Sequence, residues 1–404
     1  MKLDDRFDAL ARTRAPDLWP DIAEREPHSS SDGGPSGLRR VGIAILALTV
    51  AAAGFAYAFR AFEDRRGPGS IGVGPSPAQS VEPAESLTAV NLRETDTIDV
   101  GQGGSLVFGD GSIWVVVLRD AETGAGTVLR IDAETGHVQA EIPVDAFSSW
   151  ELGGGAMAFD GSSVWIGSPV FEPGEPDRGV VVRIDSSTNQ AETIQLDGYR
   201  SVEDLMFDGG SMWVIATPDG GGNPEILELD RSTGSVVAHV PFEAEWWRSV
   251  ISIDGTLWTS QRSVKDSTVG DPSLVRLDPT TGAKIVSVPT VDADGFSVFA
   301  EPVAGSDVIW APAGGEILGI DPLTGDVIDR FSADIGFDIA AGSDGSVWAL
   351  GRDRLERFDP ATGESDASVD LDADASPIAI ALGPDTAWVL NYDGTLTRVA
   401  IEPS

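Results

Sequence analysis

The chain has no cysteine in its 404 residues. Disulfides, thiolate nucleophiles and zinc–thiolate sites are therefore excluded. Histidine is scarce as well. Only His28, His137 and His239 occur, so imidazole chemistry has three places to sit. Positive charge is short: 27 Lys and Arg stand against 65 Asp and Glu, a formal net charge of −38. Such a field repels nucleic acid and anionic headgroups and favours cations or basic partners. The acidic residues are spread along the chain, the pattern of a solubilising surface. Arginine far outnumbers lysine, and Ala, Gly and Asp are abundant, a composition expected of a high-GC bacterial gene.

One long apolar run exists, Val41 to Phe59. It has the length of a membrane-spanning helix, with Arg39 and Arg40 before it and Arg60 after it. It starts too late for a cleaved signal peptide, and no clear small-residue cleavage site follows. Residues 1–40 form a polar tail. Leu3, Phe7 and Leu10 share a helical face, and Asp17 can cap a short second helix carrying Leu18, Trp19, Ile22 and Ala23. Residues 60–86 are a stalk rich in Pro, Gly and Ser, flexible by composition. Positive charge flanks the span evenly. Lys2, Arg6, Arg12 and Arg14 tip the balance towards a cytoplasmic tail, which puts residues 87–404 outside the membrane.

From Leu87 onward one unit repeats, typified by Phe159-Asp-Gly-Ser-Ser-Val-Trp165. The repeat places tryptophans at Trp114, Trp165, Trp213, Trp258, Trp310, Trp348 and Trp388. Each copy begins with an alternating apolar strand. In most copies a tight Asp-Gly turn then leads to the tryptophan strand. A third strand ends in Asp-x-x-Thr-Gly, as in Asp132–Gly136, Asp278–Gly282, Asp321–Gly325 and Asp359–Gly363, and a fourth strand follows. Asp-Gly tolerates positive φ and closes hairpins, and Asp can bond the backbone two residues on. Four strands per copy make a propeller blade, and a large ring per copy fills the wedge between blades. The expected fold is all-β, a seven-bladed β-propeller. The last copy lacks a fourth strand, which Arg93–Val100 would supply by strand exchange, leaving no open edge.

Asp344-Gly-Ser-Val-Trp348, Gly394-Thr-Leu-Thr-Arg398 and the Asp-Pro-x-Thr-Gly turns resemble the repeats of streptogramin lyase and YVTN-type propellers. The resemblance covers about three quarters of the chain. It implies the propeller fold and, for the lyases, a histidine, a glutamate and magnesium on the loop face. Here His28 is in the tail, His137 follows a Thr-Gly turn on the opposite face, and His239 is on an outer strand. No catalytic residue is expected. A shorter stretch, Arg14–Arg25, resembles the cytoplasmic tails of membrane-bound anti-sigma-type proteins, without that family's His/Cys zinc motif.

The favoured reading is a single-pass membrane protein whose extracytoplasmic propeller binds a protein, peptide or glycan. The alternatives are a lyase-like enzyme and a signalling protein whose tail binds a cytoplasmic regulator such as a sigma factor. Loops between second and third strands are long in copies one to four (119–126, 167–179, 218–224, 260–272) and tight in the last three. Interblade loops of the long half carry Trp150, Tyr199, Arg200, Trp246, Trp247 and Arg248. Aromatic and Arg side chains favour binding surfaces, although such rings can also tuck between blades. No cofactor is expected. Thr290–Glu301 matches a calcium loop at Asp292, Asp294 and Glu301, but the same residues read as a solvated acidic loop before an inner strand at Phe296–Glu301. Asp370, Asp372 and Asp374 read the same way.

Overall fold

The structure, a computed structural model, describes residues 87–120, 125–144, 156–170, 178–208, 211–220, 222–241, 249–265, 268–291 and 301–404. The tail, the apolar run and the stalk lie outside the described residues. Among the described residues, no helix is long and apolar enough to cross a membrane.

The described chain is all strand and turn. Strand β1 (Val90–Asp99) comes first. Blade 1 holds β2 (Gly103–Gly109), β3 (Ser112–Asp120), β4 (Ala125–Asp132) and β5 (Val138–Val144). Blade 2 holds β6 (Met157–Phe159), β7 (Ser163–Val170), β8 (Arg178–Asp185) and β9 (Ala191–Gln195). Blade 3 holds β10 (Tyr199–Asp208), β11 (Ser211–Pro218), β12 (Glu225–Asp230) and β13 (Val236–Pro241). Blade 4 holds β14 (Val250–Ile253), β15 (Thr256–Lys265), β16 (Thr268–Leu277) and β17 (Lys284–Pro289). Blade 5 holds β18 (Val303–Ala304), β19 (Ile309–Ala313), β20 (Glu316–Ile320) and β21 (Val327–Ser332). Blade 6 holds β22 (Asp338–Ala341), β23 (Val347–Leu350), β24 (Arg354–Asp359) and β25 (Glu364–Asp370). Blade 7 holds β26 (Pro377–Leu382), β27 (Thr386–Asn391) and β28 (Thr395–Pro403), and β1 pairs antiparallel with β28 as its outermost strand. Each first strand packs beside the first strand of the next blade, and β26 packs beside β2. The result is a closed ring of seven blades.

Turn chemistry explains why each sheet folds where it does. Asp110-Gly111 and Asp254-Gly255 hold φ values of 52° and 66°, and 51° and 71°. Both residues sit in the left-handed region that a two-residue hairpin needs. At the other turn, Asp132 Oδ1 accepts the N–H groups of Glu134 and Thr135, and Gly136 takes φ 72°. Asp278, Asp321 and Asp359 hold their turns the same way. Two turns outside the Asp-Pro-x-Thr-Gly pattern follow the same geometry. Asp185–Asn189 puts Asn189 at φ 58°, and Asp230–Gly234 puts Gly234 at φ 69°.

The tryptophans fill the wedges between blades. Trp114, Trp165, Trp258 and Trp388 have no exposed surface, and Trp213, Trp310 and Trp348 are buried. In five blades the residue across from the ring on the third strand is arginine: Arg130, Arg183, Arg276, Arg357 and Arg398. Arg130 lies 4.8 Å over the Trp114 ring and Arg183 lies 5.6 Å over Trp165. Each guanidinium stacks over its indole and also reaches the next blade. Arg130 donates to Ser186 O and Asn189 Oδ1 of blade 2, Arg183 to Ser232 O of blade 3, Arg276 to Leu323 O of blade 5, and Arg357 to Thr88 O just before β1. One residue type thus covers the core ring and joins neighbouring sheets.

Candidate functional site: the loop face and the axis

Antiparallel order puts the interblade loops and the second-to-third-strand connections on one face of the ring. That face is lopsided. Pairing of second and third strands runs out to Asp120↔Ala125 in blade 1, Val170↔Arg178 in blade 2 and Lys265↔Thr268 in blade 4. It stops at Ala313↔Glu316, Leu350↔Leu355 and Leu390↔Leu396 in blades 5, 6 and 7. Lys265 therefore stands roughly 23 Å beyond Trp258 along its strand, and Ala313 only roughly 10 Å beyond Trp310. The stretch 260–272, expected as a loop, is mostly an extended hairpin. Its sequence, Ser260-Gln-Arg-Ser-Val-Lys265, is mostly polar and carries no apolar alternation to mark a strand.

Tyr199 and Arg200 are not in an interblade loop. They open β10, directly after Gly198 at φ 89°, whose turn is held by Tyr199 N donating to Leu196 O at 3.1 Å. Arg200 is exposed, whereas Tyr199 is 8% exposed and packs with Val202, Leu205 and Leu227. Its hydroxyl donates to Glu225 Oε2 at 2.6 Å and lies 3.1 Å from His239 Nδ1, which is itself 3.3 Å from Glu225 Oε2. Burial first, then the hydrogen bond and charge of Glu225, raise the phenol well above its ordinary range. Tyr199 is therefore a neutral donor joining β10, β12 and β13 at the loop end of blade 3. Trp150, Trp246, Trp247 and Arg248 lie outside the described residues, as do Asp292 and Asp294.

Glu301 occupies a different place from the one its sequence context suggests. The first strand of blade 5 begins at Val303, so Glu301 precedes it instead of closing a strand at 296–301; the rest of that stretch lies outside the described residues. Register defines its level. Met206, Val303 and Ala340 face Trp213, Trp310 and Trp348 across the first hairpin. Two residues earlier stand Asp204, Glu301 and Asp338. The same level in the other blades holds Ser105, Ala156, Ser249 and Ala379. Asp204 accepts Leu205 N at 2.8 Å and, across the seam, Val250 N of blade 4 at 2.6 Å. Asp338 repeats this with Ile339 N at 2.9 Å and Ile380 N of blade 7 at 3.0 Å. The charges of Asp204 and Asp338 both act on Glu301. Blades 3 and 5 are not neighbours, so the field of Asp204 reaches Glu301 across the axis. No sequence pattern exposed Asp204 or Asp338, because an acidic residue on a strand reads as a solvated one.

The aspartates of the opposite face have structural work. Hydrogen bonds from Ser232 and Thr233 hold Asp230 down to about 2, and similar bonds lower Asp185 and Asp278. His137 follows the Asp132–Gly136 turn on that face, and His239 lies on outer strand β13. Among the described residues, no set of three or more His, Asp and Glu side chains is arranged to hold a metal ion.

No protein-family model matches the chain, and no curated protein matches it by sequence. Solved structures do match in shape. A chain of the mitotic checkpoint complex superimposes with a TM-score of 0.54 at 13% identity, covering 82% of this chain and 98% of that one. A catalytically inactive virginiamycin B lyase from Staphylococcus aureus, solved with quinupristin, gives a TM-score of 0.52 at 14% identity, covering 77% and 99%. BamB from Moraxella catarrhalis matches at 14% identity over 76% and 99%, with a TM-score of 0.47. At these identities the likeness is one of fold, a β-propeller.

Proposed function

We propose that this chain is a membrane-tethered binding module. Residues 41–59 cross the membrane, 60–86 act as a stalk, and the propeller presents its loop face outside the cytoplasm to a protein, peptide or glycan. The pairing of β1 with β28 closes the ring as a strand exchange between the two ends of the domain. The observation that carries the binding assignment is the lopsided rim: tall hairpins on blades 1, 2 and 4 beside flat blades 5 to 7. A rim built only for stability has no use for strands that project beyond the core. A recess bounded by these hairpins would have the concave shape that ligand sites favour.

The test is photo-crosslinking in intact cells from single probes placed at hairpin tips around the ring. Adducts from tips of blades 1, 2 and 4, lost when residues 262–270 are replaced by a two-residue turn, are expected. Adducts confined to the turn face would overturn the assignment. Protease added to spheroplasts should cut within 60–86 and release the propeller; cutting only after lysis would reverse the topology.

A lyase-like activity is the second reading, favoured by one observation, the Tyr199–Glu225–His239 trio on the loop side of blade 3. The trio involves the outermost strand, away from the axis, so the full chain is expected to leave a streptogramin ring intact with or without magnesium. Turnover that His239→Ala abolishes would bring the enzyme reading back.

A further inference from the structure

Glu225 and His239 lie on one face of blade 3. Glu225 pairs with Pro241 across β12 and β13, and His239 pairs with Leu227, so the two are diagonal neighbours. Tyr199 reaches the same point from β10, past the end of β11, where it pairs with Pro218. Its ring is anchored among Val202, Leu205 and Leu227, which fixes where the hydroxyl stands. Three strands thus bring together a phenol oxygen, a carboxylate oxygen and an imidazole nitrogen. Tyr199 Oη is 2.6 Å from Glu225 Oε2 and 3.1 Å from His239 Nδ1, and Nδ1 is 3.3 Å from Oε2.

The repeat supplies its own control. In blade 5 the same diagonal holds Glu316 and Arg330, since Glu316 pairs with Ser332 and Arg330 with Leu318. Those two form an ordinary ion pair, and a guanidinium has no lone pair to offer a metal. In blade 1 the diagonal is Thr127 and Glu141, and in blade 4 it is Ser273 and Ser287. Of these four blades, only blade 3 sets an imidazole beside a carboxylate. With one His and one Glu, the set becomes tridentate only through the tyrosine.

Nitrogen and oxygen donors of this kind suit iron, and no soft sulfur ligand is among them. Metal–ligand bonds of roughly 2.0–2.2 Å put adjacent ligand atoms of an octahedron roughly 2.8–3.1 Å apart. The three separations bracket that range, so an ion seated over the triangle needs only small side-chain shifts. The side chains of His239 and Glu225 are 56% and 33% exposed, which leaves the outward side of the triangle open to water.

We propose that Tyr199, Glu225 and His239 bind ferric iron, filling one face of its octahedron while water or a small anion fills the other. The choice of a trivalent ion follows from the phenol. Burial first, then the hydrogen bond and charge of Glu225, keep its proton in place in the metal-free chain. A cation must carry enough charge to displace that proton, as metal ions do when they deprotonate a ligand outright. On binding, the Tyr199 O–H bond breaks and its proton passes to water. The phenolate oxygen, the Glu225 carboxylate and the neutral Nδ1 of His239 each give the ion an electron pair. Two anionic ligands then offset two of its three charges. The net charge of −38 raises the local concentration of any cation around the domain.

The experiment titrates the full-length chain, first stripped with a chelator, with ferric citrate. One iron per chain and a visible tyrosinate-to-iron charge-transfer band are expected. Tyr199→Phe should lose the band, and Tyr392→Phe should keep it. Glu225→Gln and His239→Ala should weaken iron binding at least about tenfold, the loss seen when even a residue that only supports a metal ligand is removed. Glu316→Gln, an equal change of charge in blade 5, should bind as the wild type does. Each variant is compared below its own melting temperature, so loss of binding is not loss of fold. A band that survives Tyr199→Phe, or iron held equally well by Glu225→Gln, would mean an adventitious ion only, on an acidic surface, and would overturn the site. Iron bound without the band would overturn it as well.

Discussion

Arg231 of blade 3 donates through Nε to Asp160 Oδ2 of blade 2 at 2.8 Å, and the same oxygen receives the indole N–H of Trp165 at 2.8 Å. A single carboxylate thus fixes a core ring and a neighbouring blade. The Asp160 side chain is 2% exposed and that of Arg231 is 36% exposed. Burial alone would raise Asp160, but bonds from Arg231, Trp165, Ser162 and Ser163 hold it down to about 2. Its stabilising effect is present above the unfolded value near 4 and is lost as pH falls through about 2. Asp160→Asn should cost about 1–2 kcal/mol at pH 7, a range reduced for the partly exposed arginine. The difference from wild type should vanish near pH 2, which urea melts at pH 7, 4 and 2.5 would show.

The Tyr199 hydroxyl should behave as a fixed structural donor. Tyr199→Phe is expected to cost about 1 kcal/mol, the ordinary worth of one internal hydrogen bond. In a spectrophotometric titration, Tyr199 should ionise only well above the ordinary tyrosine range, and that late step should be missing from the variant. A wild type that shows no late step would contradict the buried bond to Glu225.

Arg357 has a side chain only 2% exposed, bound to Asp344 at 2.7 Å, to Asp366, and to Thr88 O ahead of β1. Removing one partner of a buried pair leaves charge without compensation. Arg357→Ala should cost about 3–5 kcal/mol. Because Leu87 N also donates to Asp359 at 3.1 Å, blade 6 holds the start of β1 by two contacts. Limited proteolysis of the variant should therefore cut first before Val90, ahead of the other blades. Cleavage spread evenly round the ring would argue against this local role.

Trp246 and Trp247 separate a binding surface from core without knowledge of the ligand. If they belong to the binding face, the double change Trp246→Ala with Trp247→Ala should leave melting nearly unchanged while weakening capture of the crosslinked partner. Rings packed between blades would instead cost about 3–5 kcal/mol each. Severe destabilisation would remove both from the site.

The blade tryptophans and the Asp-Gly and Asp-x-x-Thr-Gly turns were legible because each has a local cause: a ring large enough to fill a wedge, and residues that accept positive φ. What escaped reading depends on closure of the ring. Asp204 and Asp338 each bridge to the first strand of the next blade, and their partners Val250 and Ile380 lie 46 and 42 residues further along the chain. Tyr199 looked like a loop residue because Asp197-Gly198 reads as a turn; the turn exists, but the strand begins immediately after it. The tall hairpins were taken for loops because their residues lack the two-residue apolar period that marks a half-buried strand.

The order of synthesis gives the pairing of β1 with β28 a temporal meaning. Arg93 leaves the ribosome 309 residues before Glu402, its partner across that pair. At 5–20 residues per second, the first strand waits about 15–60 s for its neighbour. Through that interval Arg93-Glu-Thr-Asp-Thr-Ile-Asp99 is an unpaired edge among nascent chains, and its alternating charges and hydroxyls discourage wrong partners. A chain stalled or truncated before Thr395 never acquires the last strand, so blade 7 cannot close until that stretch has been made.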